Sequence, residues 1–135
     1  MILPETPDFF KIACDTKSRI VESRWERYTD SESFRENYRL LVEFMKTQEL
    51  NCALLDVRER GEVPYADQAW LCQEIFPAMI TQLRKTIKLA YIINENHFSH
   101  LQAESPDGGM ETYGDLLKMQ FFLDEAAARQ WLKTV

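Results

Sequence analysis

Glycine is scarce in this chain, with four in 135 residues, and three of them, Gly108, Gly109 and Gly114, fall in one late stretch. Neither G-x-G-x-x-G nor G-x-x-x-x-G-K occurs, which removes the common loops whose backbone cradles phosphates. No G-x-S-x-G is present either, so nothing resembles a serine nucleophile on a strained turn. Three cysteines, Cys14, Cys52 and Cys72, lie far apart with no C-x-x-C pair, which excludes a disulfide framework and a zinc ribbon. Free, buried thiols are the expected state. A basic excess is missing as well. Sixteen Lys and Arg against twenty-two Asp and Glu leave a net charge of -6, a field that repels nucleic acid and anionic lipid.

Long apolar runs are also absent, and the first residues, Met1 to Glu5, carry neither a basic segment nor an apolar one. A cytoplasmic protein with no membrane insertion is therefore expected. Histidine is limited to His97 and His100. On a helix that spacing puts both rings on one side, but a tetrahedral metal site needs three or four ligands, and only Glu95 and Glu104 stand near as further donors. No metal and no cofactor are expected, and no catalytic residues stand out, so the chain is read as a non-enzyme.

What the chain does have is apolar substance: 45% hydrophobic and 12% aromatic residues, enough for the core of a single domain spanning 1–135. Phe9 to Cys14 and Ile20 to Trp25 alternate with period two, and the polar Asp15 to Ser18 between them suits an antiparallel hairpin. Thr29-Asp30-Ser31-Glu32 has the form of a capping box, with Thr29 accepting and Glu32 reaching back. Phe34, Tyr38, Leu41 and Met45 then mark one face of a helix ending near Gln48. Ala53 to Val57 is a short, nearly continuous apolar run, the mark of a strand covered on both faces.

From Tyr65 to Leu83 the positions Ala69, Cys72, Ile75, Phe76, Met79 and Leu83 follow helical spacing, although Pro77 must kink or split the helix. Ile87 to Ile93 reads as a strand. Asn94 can cap a short helix carrying His97 and Phe98. Ser105 to Gly109 is a loop, and a short helical turn is expected around Tyr113 to Leu117. Met119 to Leu123 forms a last strand. Asp124 caps a terminal helix whose buried side is drawn from Ala127, Ala128, Trp131, Leu132 and Val135. The expected fold is thus α/β: a mixed sheet of about five strands, an N-terminal β-hairpin followed by three strand-helix units, with helices packed on the sheet.

This order, with Leu54-Leu55-Asp56-Val57-Arg58 at its centre, Trp70 and Phe76-Pro77 next, then Leu89-Ala90-Tyr91-Ile92 and finally Ala126-Ala127 with Trp131-Leu132, resembles the STAS/SpoIIAA-like domains. It is most similar to small stand-alone bacterial members, common in Bacteroidetes, without an assigned function. The resemblance implies a STAS-like sheet and action through protein–protein contact. Among the anti-sigma-factor antagonists of that superfamily, a serine or threonine soon after an aspartate is phosphorylated by a partner kinase. Asp56 matches the aspartate, but no serine or threonine occurs from Val57 through Ile80, so only the Tyr65 hydroxyl could stand in.

Ligands of sheets with parallel strands collect beyond the strands' carboxyl ends. Asp56, Arg58, Arg60 and Tyr65 follow one such end, and Asn94, Asn96 and His97 another, so these residues are the candidate binding set. A carboxylate, guanidinium and imidazole near a helix start could hold a small anion; the plainer reading is that Asp56 and Arg58 pair with each other or with loop amides. Two functions remain. One is a regulatory or scaffold module with an unknown protein partner, acting without a Ser/Thr switch, the edge hairpin near Trp25 being the candidate homodimer contact. The alternative is a binding module for an apolar or anionic small molecule, in a pocket at the carboxyl ends of the central strands.

Overall fold

The structure is a computed structural model describing residues 9–61, 63–104, 111–113 and 116–134. Strands β1 (Phe10–Asp15) and β2 (Ile20–Trp25) form the expected antiparallel hairpin. Helix α1 (Ser31–Gln48) leads to β3 (Cys52–Asp56); a long helical segment then leads to β4 (Ile87–Ile92). Helix α4 (Glu95–Glu104), β5 (Glu111–Tyr113), β6 (Leu117–Phe122) and α5 (Glu125–Leu132) complete the order. The sheet has six strands in the order β1-β2-β3-β4-β6-β5. Its centre, β2-β3-β4-β6, is parallel, and β1 and β5 close the two edges antiparallel.

Period-two alternation assigns side chains to two unequal faces. Phe10, Val21, Trp25, Leu55, Leu89, Tyr91 and Met119 face one way and meet Phe34, Tyr38, Leu41 and Met45 of α1 together with Ile75, Phe76 and Met79. Ile20, Leu54, Ala90 and Ile92 face the other way and meet Ala128 and Leu132 of α5, with Trp131 packed alongside. Strands β3 and β4 are therefore covered on both sides, which is why Ala53 to Val57 reads as an uninterrupted apolar run. The hairpin's outer face carries Lys11, Ala13, Glu22 and Arg24, a charged surface such as an uncovered antiparallel edge requires.

The proline in the long helical segment is accommodated by a change of helix type. Helix α2 (Tyr65–Trp70) passes into a π turn (Leu71–Ile75) and then into α3 (Phe76–Leu83). The amide of Phe76 reaches back five residues to the Leu71 carbonyl. Pro77 then sits in the first turn of α3, where its missing N–H costs least. The wider turn shifts the inward register by one residue, so Leu71 is buried and Cys72 is exposed. This corrects the expectation of three buried thiols; Cys14 and Cys52 are half-buried.

Helix ends show further corrections. Asp30, not Thr29, caps α1, its Oδ1 accepting from the Ser33 amide at 2.8 Å. The Thr29 hydroxyl is buried without a hydrogen-bond partner. With glycine scarce, α1 and α3 both end on non-glycine residues in the left-handed region, Glu49 (φ 57) and Arg84 (φ 55). Asp124 caps α5 by accepting from Ala126 and Ala127, while Lys88 of β4 donates to the Trp131 and Thr134 carbonyls at the other end. Within α5, Ala127 is exposed and Ala128 and Leu132 carry the packing; Val135 lies outside the described residues. Where a helical turn was expected around Tyr113 to Leu117, Tyr113 lies in β5, a three-residue edge strand that pairs with β6, and Leu117 begins β6; residues 114 and 115 lie outside the described residues. The expected loop at Ser105 to Gly109 lies outside the described residues.

Three substitutions test these helix ends. Asp30→Ala should lower the urea-unfolding free energy by about 1 kcal/mol, whereas Thr29→Val should leave it unchanged or raise it by up to about 1 kcal/mol, because an unpartnered buried hydroxyl is removed. Glu49→Gly should raise it by about 0.5–1 kcal/mol, the strain of a left-handed L-residue outweighing the added freedom of the unfolded chain.

Candidate functional site

The parallel strands end along one edge, and the candidate residues leave from there on both faces of the sheet. Asp56 is the last residue of β3 and points to the α5 face, in step with Leu54. Only 7% of it is exposed. Arg58, two residues on, returns to it as a fork: Nε to Oδ1 at 3.0 Å and Nη2 to Oδ2 at 2.6 Å. Its own amide also donates to Oδ1. A second guanidinium, Arg24 of β2, lies 3.3 Å from Oδ2, placed there because Arg24 and Asp56 are register partners in the parallel pair.

Burial by itself raises the Asp56 pKa, but the Arg58 hydrogen bonds and the charges of Arg58 and Arg24 outweigh it and hold the carboxyl below its ordinary range. Arg58 is pushed up in return, chiefly by its hydrogen bond to Asp56. A carboxylate so firmly ionised is a poor proton acceptor near neutrality. The cluster offers fixed charge and the outward-facing donors of Arg58, whose side chain is 41% exposed.

Asn94 joins the neighbouring loop to this cluster. Its Nδ2 donates to the Arg58 carbonyl at 3.2 Å, while its Oδ1 accepts from the His97 amide and so caps α4. The Val57 amide also bonds to the Ile92 carbonyl at 3.0 Å. The two loops are thus sewn together where a pocket between them would open. Asn96 is exposed in the first turn of α4, and the His97 ring lies 6.3 Å from that of Phe121, on the α1 face. The His100 side chain lies outside the described residues, and no group of three His, Cys, Asp or Glu suited to a metal occurs among those described.

Arg60 does not join the Asp56 cluster. It turns to the α1 face and is buried, 5% exposed, over the rings of Trp25, Phe34 and Tyr38. Tyr65, at the start of α2, is 85% exposed. Trp25 is fully buried and donates to Asn37 Oδ1 at 3.0 Å, so it supplies no hairpin surface for a second copy. Two further sets went unread in the sequence. Arg24 completes the Asp56 cluster, and Arg129 of α5 bonds Glu22 and Glu125 and lies 4.0 Å from Asp15. Both depend on strand order, for which the sequence carries no local signal. An open groove of about 380 Å³ runs between these sets on the α5 face, bounded by Lys11, Ala13, Glu22, Arg24, Asp56 and Arg129.

A carboxyl whose folded pKa lies below its unfolded value stabilises the fold above that unfolded value, about 3.9 for aspartate. The contribution is lost as the pH falls through the lower, folded value. Asp56→Asn should therefore cost about 1–2 kcal/mol at pH 7 and flatten the loss of stability below about pH 4; denaturant midpoints measured across that range check both. Compared with known proteins, the chain matches no family model, no curated protein and no solved structure.

Proposed function

We propose that the chain is a non-enzymatic docking module of STAS-like fold, which regulates or scaffolds a protein partner through the carboxyl edge of its parallel strands. One observation carries the reading. Of the four large apolar side chains most exposed among the described residues, three leave from that edge: Tyr28 after β2 at 64%, Tyr65 after β3 at 85% and Leu123 after β6 at 43%. Exposed tyrosines and arginine along one edge are a composition usual for a contact surface, and the half-exposed Arg58 leaves from the same edge, after β3. The net charge of -6 disfavours nucleic acid as the partner, and no helix among the described residues is long and apolar enough to cross a membrane.

The alternative, a pocket for an apolar or anionic metabolite at the ends of the central strands, has less support. The Asn94–Arg58 bond and the Val57–Ile92 bond occupy the place where it would open.

Site-specific photo-crosslinking in the native cells tests the docking reading. A photoreactive residue at Tyr28 or Tyr65 should give an adduct with one and the same protein. A probe at Leu116, exposed at the opposite end of the sheet, should not. Adducts equally frequent at Leu116, or none at Tyr28 and Tyr65 together with a bound small molecule in native mass spectrometry, would overturn it in favour of the metabolite reading.

A further inference from the structure

Arg60 is an unusual interior residue. Its guanidinium carbon lies 4.7 Å from the Trp25 ring centre, 5.0 Å from that of Phe34 and 5.9 Å from that of Tyr38. Among the described residues its side chain makes one hydrogen bond, a long one from Nη1 to the Tyr38 hydroxyl at 3.5 Å, and its Nε is buried without a partner. No carboxylate among the described residues forms an ion pair with it. Asp67, the buried acid on the neighbouring helix α2, is engaged instead by Ser31 at 2.7 Å and Arg35 at 3.1 Å. A desolvated cation is thus held by ring faces in place of a counter-charge.

The walls of this enclosure are built without Arg60. The Trp25 indole is fixed by Asn37, and the Tyr38 hydroxyl lies 2.9 Å from that of Tyr91. Phe34 and Tyr38 stand one turn apart on the same face of α1. The occupant, by contrast, hangs from a short connection. Arg60 closes a turn onto the Val57 carbonyl at 3.2 Å, and next to it Gly61 adopts φ 84 with nothing within 4 Å of the position a Cβ would take. The cage is thus held by contacts of its own, and its occupant by one turn bond and one long side-chain bond.

We propose that Trp25, Phe34 and Tyr38 form a cation-recognition site that the chain closes with its own Arg60, and that the ligand it takes when Arg60 withdraws is a guanidinium group. A planar, weakly hydrated cation suits three ring faces and one hydroxyl acceptor better than a compact ammonium does. The intramolecular arginine acts as a competitor present at high effective concentration. Tyr28, Tyr65 and Leu123 take no part in this site, so its failure would leave the docking reading standing.

The probe is N-ethylguanidinium, which replaces the atoms removed in Arg60→Ala. Millimolar N-ethylguanidinium should raise the Tm of Arg60→Ala saturably by a few degrees, while sodium chloride at equal ionic strength does not. The parent protein and Arg60→Met, whose cages are filled, should show no such rise. In the parent, the Arg60 amide should exchange with solvent through a local opening, faster than the Val57 amide anchored in the sheet. A folded Arg60→Ala that shows no saturable rise overturns the proposal. So does exchange of the Arg60 amide only through global unfolding, a result that also decides the matter should Arg60→Ala fail to fold.

Discussion

The insertion of Arg60 between Trp25, Phe34 and Tyr38 ties together three parts of the chain that the sheet alone does not align: the end of β2, the first two turns of α1 and the connection after β3. Burying a cation costs several kcal/mol. Each desolvated ring contact returns up to about 2 kcal/mol, so the two effects are of similar size and the balance rests on all three rings being in place. This explains the concentration of aromatic residues in one corner. Phe10 lies tilted against Trp25 at 4.7 Å and Phe34 meets Trp70 at 6.5 Å, which in turn lies under Arg35 and Arg39. An ordinary core would need fewer rings; a core holding a guanidinium needs its walls backed by others.

Apolar burial has no direction, so it brings α1 to the sheet without setting its rotation. The buried polar contacts supply that setting. Trp25 to Asn37 fixes α1 against β2, the paired hydroxyls of Tyr38 and Tyr91 fix it against β4, and Asp67 holds α2 to Ser31 and Arg35 at the start of α1. Each of these joins two elements that are distant in sequence. Breaking any one leaves a buried donor or acceptor unpaired, which costs more than the bond itself contributes. On the other face Asp56 plays the same part for β2 and the β3 connection through Arg24 and Arg58.

The strands were legible because alternation is a local property: Val21, Ser23 and Trp25 against Ile20, Glu22 and Arg24 already assigns the two faces. The helices were legible from the spacing of Phe34, Tyr38, Leu41 and Met45. Leu71 and Cys72 exchanged roles because a π turn shifts periodicity by one, and no single residue announces that turn except Pro77 downstream. Thr29 and Asp30 are both good caps, and the choice between them is made by which one the preceding loop presents. At the candidate site, Asp56 and Arg58 could be paired from sequence, since residues two apart at a strand end lie on one side. Arg24 could not, because its place beside Asp56 depends on β2 and β3 being neighbours. Arg60 joins them in sequence by its place after the same strand and by its charge. A charged residue in a turn ordinarily reads as exposed, and only the assembled rings make its burial tolerable.

The uneven clothing of the sheet decides where a contact surface can form. One face is filled by α1, α2, the π turn and α3. Among the described residues the other carries α5 alone, and the part beside it is occupied by Lys11, Glu22, Arg24 and Arg129, already paired or solvated. Among the described residues neither face leaves an apolar area for a partner. The edge strands β1 and β5 are short, with six and three residues. What remains is the rim where four parallel strands deliver their connections, and there the chain exposes tyrosines rather than phenylalanines. A tyrosine can stay in water on its hydroxyl side while keeping a ring available for contact. The same rim holds the turn that carries Arg60. A partner settling on Tyr28 and Tyr65 would therefore meet the one connection whose side chain is buried at the expense of its own solvation.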